Sequence, residues 1–323
     1  MVLNKEIIGN FTPYRTDELK AFLKNTYAAD VRQFYLYTNA LDNTVIDVDH
    51  EYILKIYETK SFEHIKKAIE LYENFKDYYS IRLVSNKEGK YLIDYKNKPA
   101  LLYYKVMGRR SNSLVNNLIL MQKFHQFGYC GQRNFHLKVE LNKIRAQTEL
   151  YLCADLQAKL KGKARYRRYD AIFRRLKKIK YNDMMFEVAY GITHGDCNPN
   201  NILTYHKVCH FIDFDNISYN YQIYDLISLL LKYRDRPIIE KEKALLRKYY
   251  FLQYENNDFD GFYDIINLMC CHKGLEMVLS TEYYCFVINK FSEKVLDKYF
   301  MAVLNGLLEN IEVRLKELEK CGK

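Results

Sequence analysis

The apolar positions divide this chain into a strand-rich first third and a mostly helical remainder. Leu19, Phe22 and Leu23 recur behind a plausible cap at Thr16 and predict a helix over 17–27. Residues 31–38 read as a strand, 39–44 as a turn, and 45–48 and 52–57 as two more strands. This meander carries one lysine, Lys55, in the middle of its third strand. A helix is expected over 61–78, with Phe62, Ile65, Ile69, Tyr72 and Phe75 roughly on one face. Strands follow at 81–84, 91–95 and 100–107, with turns at 86–89 and 96–99. The last strand ends at Gly108-Arg109-Arg110, where a hinge is expected. Beyond it, helices are expected over 113–127, 141–160 and 169–180. Another opens at Asp225, and from Pro237 to Glu319 the pattern is helical with one interruption at 255–261. The apolar run 226–231 is too short to span a membrane and reads as a buried helix.

Two apolar, strand-like runs each end in a carboxylate. The first is Gly191-Ile-Thr-His-Gly-Asp-Cys-Asn-Pro-Asn-Asn-Ile-Leu203, and the second is Phe211-Ile-Asp-Phe-Asp215. Asn201 lies five residues after Asp196, and Asp213 lies twelve beyond Asn201. Phosphoryl transfer needs such a set: one Asp to align and deprotonate a hydroxyl, and an Asn and a second Asp to hold metal ions on the phosphates. Mg²⁺ takes hard oxygen ligands from one or two protein groups together with substrate phosphates, which suits Asn201 and Asp213. Two ordinary strands with turn-forming Asp and Asn residues are the bland alternative.

His194-Gly-Asp-x-x-Pro-x-Asn-Ile-Leu203 followed by Ile212-Asp-Phe-Asp215 resembles the aminoglycoside phosphotransferase/choline kinase superfamily. That superfamily includes homoserine kinases and a bacterial spore-coat, CotS-like branch, and the tyrosine-rich composition, the missing loop glycines and the Asp213-Phe-Asp215 variant are most similar to the spore-coat branch. The resemblance implies an α+β, protein-kinase-like two-lobed fold. Residues 1–108 would form a small antiparallel β-sheet lobe with one main helix, and 109–323 a larger, mostly helical lobe with the catalytic loops and acceptor site.

It also implies ATP and Mg²⁺ as cofactors and assigns roles. Asp196 is the base, Asn201 and Asp213 hold metal, and Lys55 neutralises the α- and β-phosphates. A helix glutamate should pair with Lys55; Glu63, Glu70 and Glu73 are available, and Glu70, mid-helix, is preferred. Asn43 and Thr44 fall in the phosphate loop and second strand, where Asn39 and Ala40 replace the usual glycines. Backbone groups of Lys105, Val106 and Met107 would meet the adenine. His194 would pack beneath the loop and Asp225 would brace it, while Asp215 replaces the glycine of many protein kinases and adds metal or substrate contacts. His125 reads as structural.

Composition changes this picture little. The 323 residues carry a net charge of +10, which favours anionic partners. Eleven Lys/Arg residues lie between 159 and 180, either as a solvated helical face or as an anion-binding surface; no nucleic-acid module accompanies them, which argues against a nucleic-acid partner. The segment also argues mildly against a cationic aminoglycoside, although Asp258, Asp260 and Asp264 offer local acid. Eight scattered cysteines lack zinc spacing and read as reduced thiols. No signal peptide or transmembrane run is evident, so a cytoplasmic protein is expected. The 31 tyrosines, with no tryptophan, fit either an assembly-prone exterior or codon bias.

Two functions remain. One is a kinase of a small-molecule or surface-polymer hydroxyl. The other is a spore-coat assembly protein that binds coat partners, is deposited in the coat and turns over little. A protein kinase fits less well, because no activation segment lies between Asp213 and Asp225.

Overall fold

A computed structural model describes residues 16–36, 43–106, 108–152, 154–159, 164–179, 185–233, 237–250, 259–283, 285 and 298–321. They fall into two compact units, one within Met1–Arg109 and Leu203–Ser218, the other within Arg110–Ile202 and Tyr219–Lys323.

The first unit is built on an antiparallel sheet of five strands in the order β1-β2-β3-β5-β4. These are β1 (Phe34–Leu36), β2 (Asn43–Val48), β3 (Tyr52–Tyr57), β4 (Ile93–Tyr95) and β5 (Lys98–Tyr104). Helix α1 (Thr16–Tyr27) packs Leu19 and Leu23 with Ile46, Val48, Leu54, Ile56 and Leu102 from one face of the sheet. The other face carries Lys55 and Tyr57. Because both faces are covered, β3 is buried at every position after Tyr52 and shows no polar alternation. Helix α2 (Phe62–Phe75) is capped by the Ser61 hydroxyl, which accepts the His64 amide, and buries Ile65, Ala68, Tyr72 and Phe75. Tyr72 stacks on Phe214 at 4.4 Å between ring centres, which ties α2 to the segment bearing Asp213 and Asp215.

Some expected elements differ. The helix expected over 61–78 leaves α-geometry after Phe75, with a 3-10 turn at Lys76–Tyr78. Residues 81–84 form no strand; they run beside β5 through the Val84 amide to Leu102 and the Tyr104 amide to Arg82. Residues 37 and 38 of the first strand, and the loop at 39–42, lie outside the described residues. Strands β9 (Ile202–Tyr205) and β10 (Val208–Phe211) are neighbours, and the first stretch of this unit ends at Arg109, the first residue of β6 (Arg109–Arg110).

In the second unit α3 (Leu114–Phe127) leads into β7 (Tyr129–His136), which pairs antiparallel with β8 (Met185–Thr193); β11 (Ser218–Tyr221) completes that sheet. Helices α4 (Leu137–Tyr151), α5 (Ala154–Lys159) and α6 (Ala164–Lys178) are inserted between β7 and β8. α4 and α6 start earlier than the apolar spacing indicated, and the α4 helix ends at Tyr151 rather than running to 160. The rest is α7 (Ile223–Lys232), α8 (Ile239–Tyr249), α9 (Phe259–Tyr283) and α10 (Lys298–Cys321). α9 packs against α4, α6, α7 and α10, and a Cβ on its Gly274 would lie 2.9 Å from Leu231 and 3.0 Å from Ile311. Arg314 of α10 is fully buried and bonds both Glu242 oxygens, at 2.7 and 2.8 Å, and Asn267 at 2.7 Å, so α8, α9 and α10 share one ionic staple.

The basic segment is also largely paired. Arg168 bonds Glu312 through two nitrogens at 2.8 and 2.9 Å, and Arg175 bonds Glu319 at 2.8 and 2.7 Å. Seven residues separate each pair of partners, two turns on either helix, so α6 and α10 meet in matching register. Lys161, Lys163 and Lys180 lie outside the described residues. The abundant tyrosines include buried hydrogen-bond donors: Tyr57 to Asp215, Tyr72 to the Ile81 carbonyl and Tyr263 to Glu242. Among the described residues no helix is long and apolar enough to cross a membrane.

Candidate active site

In the second unit the candidate residues gather at the end of β8. The chain leaves the strand at Thr193, turns at Gly195 with φ +78°, and enters a 3-10 turn at Pro199–Asn201. Asn198 caps that turn by accepting the Asn200 amide at 2.9 Å, and Pro199 sits at a position where its missing N–H leaves no bond unmade. The turn brings the Asn201 side chain back onto Asp196: Nδ2 donates to Oδ2 at 2.9 Å and to the Asp196 carbonyl at 3.0 Å. With its nitrogen so used, the Asn201 carbonyl oxygen is the atom available as a ligand.

Asp225 holds this loop from below. Its buried carboxylate accepts the His194 amide at 2.6 Å and the Gly195 amide at 2.9 Å. His125 Nε2 lies 3.0 Å from the same carboxylate, and Nδ1 lies 3.0 Å from the Tyr250 hydroxyl. The carboxylate can only accept, which assigns the proton to Nε2 and makes Nδ1 the acceptor from Tyr250. His194 is fully buried, with Nδ1 3.3 Å from the Asp196 amide.

Lys232, at the end of α7, was not singled out in the sequence. Its Nζ donates to Asp196 Oδ1 at 2.9 Å. The available signal was spacing: Lys232 follows Asp225 by seven residues, so both lie on one face of the helix.

In the first unit Lys55 lies between two carboxylates, 2.8 Å from Asp213 Oδ1 and 2.5 Å from Asp215 Oδ2. Burial pushes the ammonium pKa down, but the Asp215 and Asp213 charges outweigh it and hold the pKa above the ordinary lysine range. Asp215 is buried, and its second oxygen accepts the Tyr57 hydroxyl at 2.8 Å. Burial pushes its carboxyl up while Lys55 pulls it down. Asp213 differs: its side chain is 34% accessible, and its backbone is left-handed at φ +63°. Left-handed non-glycine residues are uncommon and concentrate at functional sites. Asp213 is therefore the carboxylate with an accessible edge, and Asp215 is an internal anchor rather than the added metal or substrate contact first expected.

Other expected contacts differ as well. Glu70 is exposed on α2 and does not pair with Lys55, because Ile65, Ala68 and Tyr72 define the inner face and Glu70 lies away from it. What α2 offers the Asp215 segment is His64, whose Nε2 lies 2.8 Å from the Asp215 carbonyl. Lys60, just before the helix, bonds that carbonyl at 3.2 Å and Asn216 at 2.8 Å. Thr44 pairs in register with Ile56, on the face away from Lys55, and its hydroxyl donates to Glu58 at 2.7 Å. Asn43 pairs with Tyr57 on the Lys55 face, and its buried Oδ1 has no partner among the described residues. The Lys105 amide is committed to the Glu51 carbonyl at 2.7 Å, and its ammonium to buried Asp47 at 2.5 Å. Met107 lies outside the described residues. Of the three acids considered for an acceptor pocket, Asp258 lies outside the described residues and Asp260 is paired with Lys243 at 2.8 Å.

A carboxylate edge at Asp213 and an amide oxygen at Asn201 are hard donors that fit Mg²⁺. Among the described residues no group of three or more His, Cys, Asp or Glu could hold a metal unaided, so a cation at either donor would draw its remaining ligands from phosphate and water.

The fold and loop define a kinase-like protein. By sequence, residues 38–262 match the phosphotransferase enzyme family (APH), and the chain belongs to that family. No curated protein matches it in a sequence comparison. Among solved structures it is similar to amicoumacin kinase hAmiN in complex with AMP-PNP, Ca²⁺ and Ami, at 17% identity and a TM-score of 0.61 over 96% of each chain. Spectinomycin phosphotransferase APH(9)-Ia, in complex with ADP and spectinomycin, aligns at 12% identity and 0.60 over 96% of this chain and 100% of that one. A choline/ethanolamine kinase family protein from Mesorhizobium loti aligns at 16% and 0.55 over 94% and 95%. At these identities the likeness is one of fold.

Proposed function

We propose that the chain is an ATP- and Mg²⁺-dependent phosphotransferase that moves the γ-phosphate to a hydroxyl of a small molecule or surface polymer, with Asp196 as base. The observation that carries this reading is the Asp196–Asn201 pair, closed at 2.9 Å on a loop that Asp225 holds by two backbone amides. A loop fixed this firmly can align an incoming hydroxyl, and alignment supplies most of what a protein contributes to phosphoryl transfer. In this reading Asp196 orients the hydroxyl and takes its proton, Lys55 neutralises phosphate charge, and Asn43 offers its unpaired oxygen on the Lys55 face. Asn201 and Asp213 would hold the cation, which when bound neutralises the phosphates. The ligands named with the fold neighbours, amicoumacin's Ami and spectinomycin, support a small-molecule acceptor.

Titration with Mg²⁺-ATP, followed by measurement of ATP hydrolysis and transfer to a panel of hydroxyl compounds, tests the proposal. Binding with turnover that Asp196→Asn abolishes is expected. Binding without turnover on any acceptor would leave the second reading, a spore-coat-type assembly protein. What favours that second reading is that Thr44 is tied to Glu58 and the Lys105 amide to Glu51, contacts that a nucleotide would otherwise use.

A further inference from the structure

We infer that Lys232 is a catalytic residue whose ammonium binds the phosphoryl group in flight; the inference rests on the phosphotransferase reading. Asp225 and Lys232 stand two turns apart on α7 and both reach the loop at 194–201, the first gripping its backbone and the second its working carboxylate. The Lys232 pair is not needed to hold the loop. Asp225, the Asn198 cap and Asn201 already fix it. A pair whose side chains are 29% and 35% accessible adds little stability, because water screens it.

As a purely structural contact the pair would even be a handicap, since it occupies one of the two oxygens of the proposed base while Asn201 occupies the other. Transfer resolves this. A hydroxyl bonded to Asp196 places its oxygen about 3 Å from the carboxylate, and the phosphorus it attacks lies roughly 3–3.5 Å beyond. The equatorial phosphoryl oxygens, where charge accumulates, then come within reach of an ammonium with three donors on a flexible stem. The new O–P bond forms as the bond from the γ-phosphorus to the bridging oxygen breaks. The hydroxyl proton passes to Asp196, ADP leaves, and Lys232 stays protonated throughout. The loop motif itself does not contain this residue, which comes from the end of a helix 36 positions beyond Asp196 and is marked in the sequence only by its seven-residue spacing from Asp225.

The test uses full-length protein and Mg²⁺-ADP with and without aluminium fluoride, a mimic of the planar phosphoryl group, so no acceptor need be known. Lys232→Met should leave ADP affinity within about twofold and weaken the fluoride complex by about 10²-fold, the loss typical of one oxyanion donor. ATP hydrolysis should fall similarly in kcat with KM unchanged, and Lys232→Arg should recover part of both. Equal loss for ADP and its fluoride complex, or no loss for either, overturns the proposal. So does a wild-type protein that binds ADP but gains nothing from fluoride. A wild-type protein that binds no nucleotide overturns the phosphotransferase reading itself, and this proposal with it. Should Lys232→Met fail to fold, Lys232→Gln carries the same comparison.

Discussion

Lys55 and Asp215 form an ion pair of 2.5 Å with side chains only 5% and 4% accessible, and Tyr57, two residues on along the same face of β3, completes it. In this chain Asp215 does for Lys55 what a helix glutamate was expected to do. The consequence is a division of labour between two acids two residues apart. Asp215→Ala should destabilise the first unit by about 3 kcal/mol, the lower range for breaking a buried pair, since Asp213 remains as a partner. Tyr57→Phe should cost about 2 kcal/mol, the range for a hydrogen bond to a charged group. Asp213→Ala, at an accessible carboxylate, should cost under about 1 kcal/mol yet remove Mg²⁺-dependent nucleotide binding. Chemical denaturation with a parallel nucleotide titration distinguishes them; equal stability losses for the two aspartates would refute the division.

The α6–α10 register yields a charge-swap prediction. Arg168 and Glu312 are about one-third accessible and joined by two bonds. Arg168→Glu should lower stability by about 1 kcal/mol, since it sets like charges together in a partly screened site, and adding Glu312→Arg should restore most of it. A double mutant no more stable than the singles would show that the contact carries no coupling.

Gly191 and Gly274 look alike in sequence but should respond differently to alanine. A Cβ at Gly191 would lie 2.3 Å from the Gly128 carbonyl oxygen, a backbone atom already bonded to the Ile192 amide. Neither side can yield, so Gly191→Ala should cost about 3 kcal/mol or more and disturb the strand leading to Asp196. At Gly274 the obstacles are ends of Leu231 and Ile311 side chains, which can rotate, and the cost should be nearer 1 kcal/mol. Paired denaturation curves decide; similar losses would mean that the β8 backbone shifts freely.

The sheet, the amphipathic helices and the two carboxylate loops were legible because each rests on local pattern. Lys55 could be placed in β3 from strand composition, and Asp196 and Asn201 from their spacing. β7 was not legible. Its residues Tyr129–His136 are mostly exposed, with only Phe135 buried, so no alternation marks them, and the strand exists because β8 pairs with it. The hairpin turn at His206-Lys207 was similarly concealed, because both residues adopt positive φ without glycine. The partner of Lys55 was misjudged for a different reason. Residue spacing can place a glutamate mid-helix, but which face the helix presents is set by Ile65, Ala68 and Tyr72 together, and these turn Glu70 to solvent. Lys232 meets Asp196 only through tertiary packing, which no local window contains.

His272 gives the second unit an acid-sensitive point. It is buried in α9, with Arg145 Nη2 3.5 Å from its Nε2. Burial and then the Arg145 charge push its pKa down to about 3 from the ordinary 6.5. The folded form therefore keeps this imidazole neutral where an unfolded chain would protonate it. Below about pH 6.5 the unfolded state binds the extra proton, so stability present at neutral pH is lost progressively as pH falls towards 3. The slope approaches ~1.4 kcal/mol per pH unit for one such group. Denaturant midpoints at pH 7 and pH 5 should differ clearly in the wild type. His272→Gln should narrow the difference, whatever its effect on stability at pH 7. An unchanged pH slope in that variant would show that other groups control the acid limb.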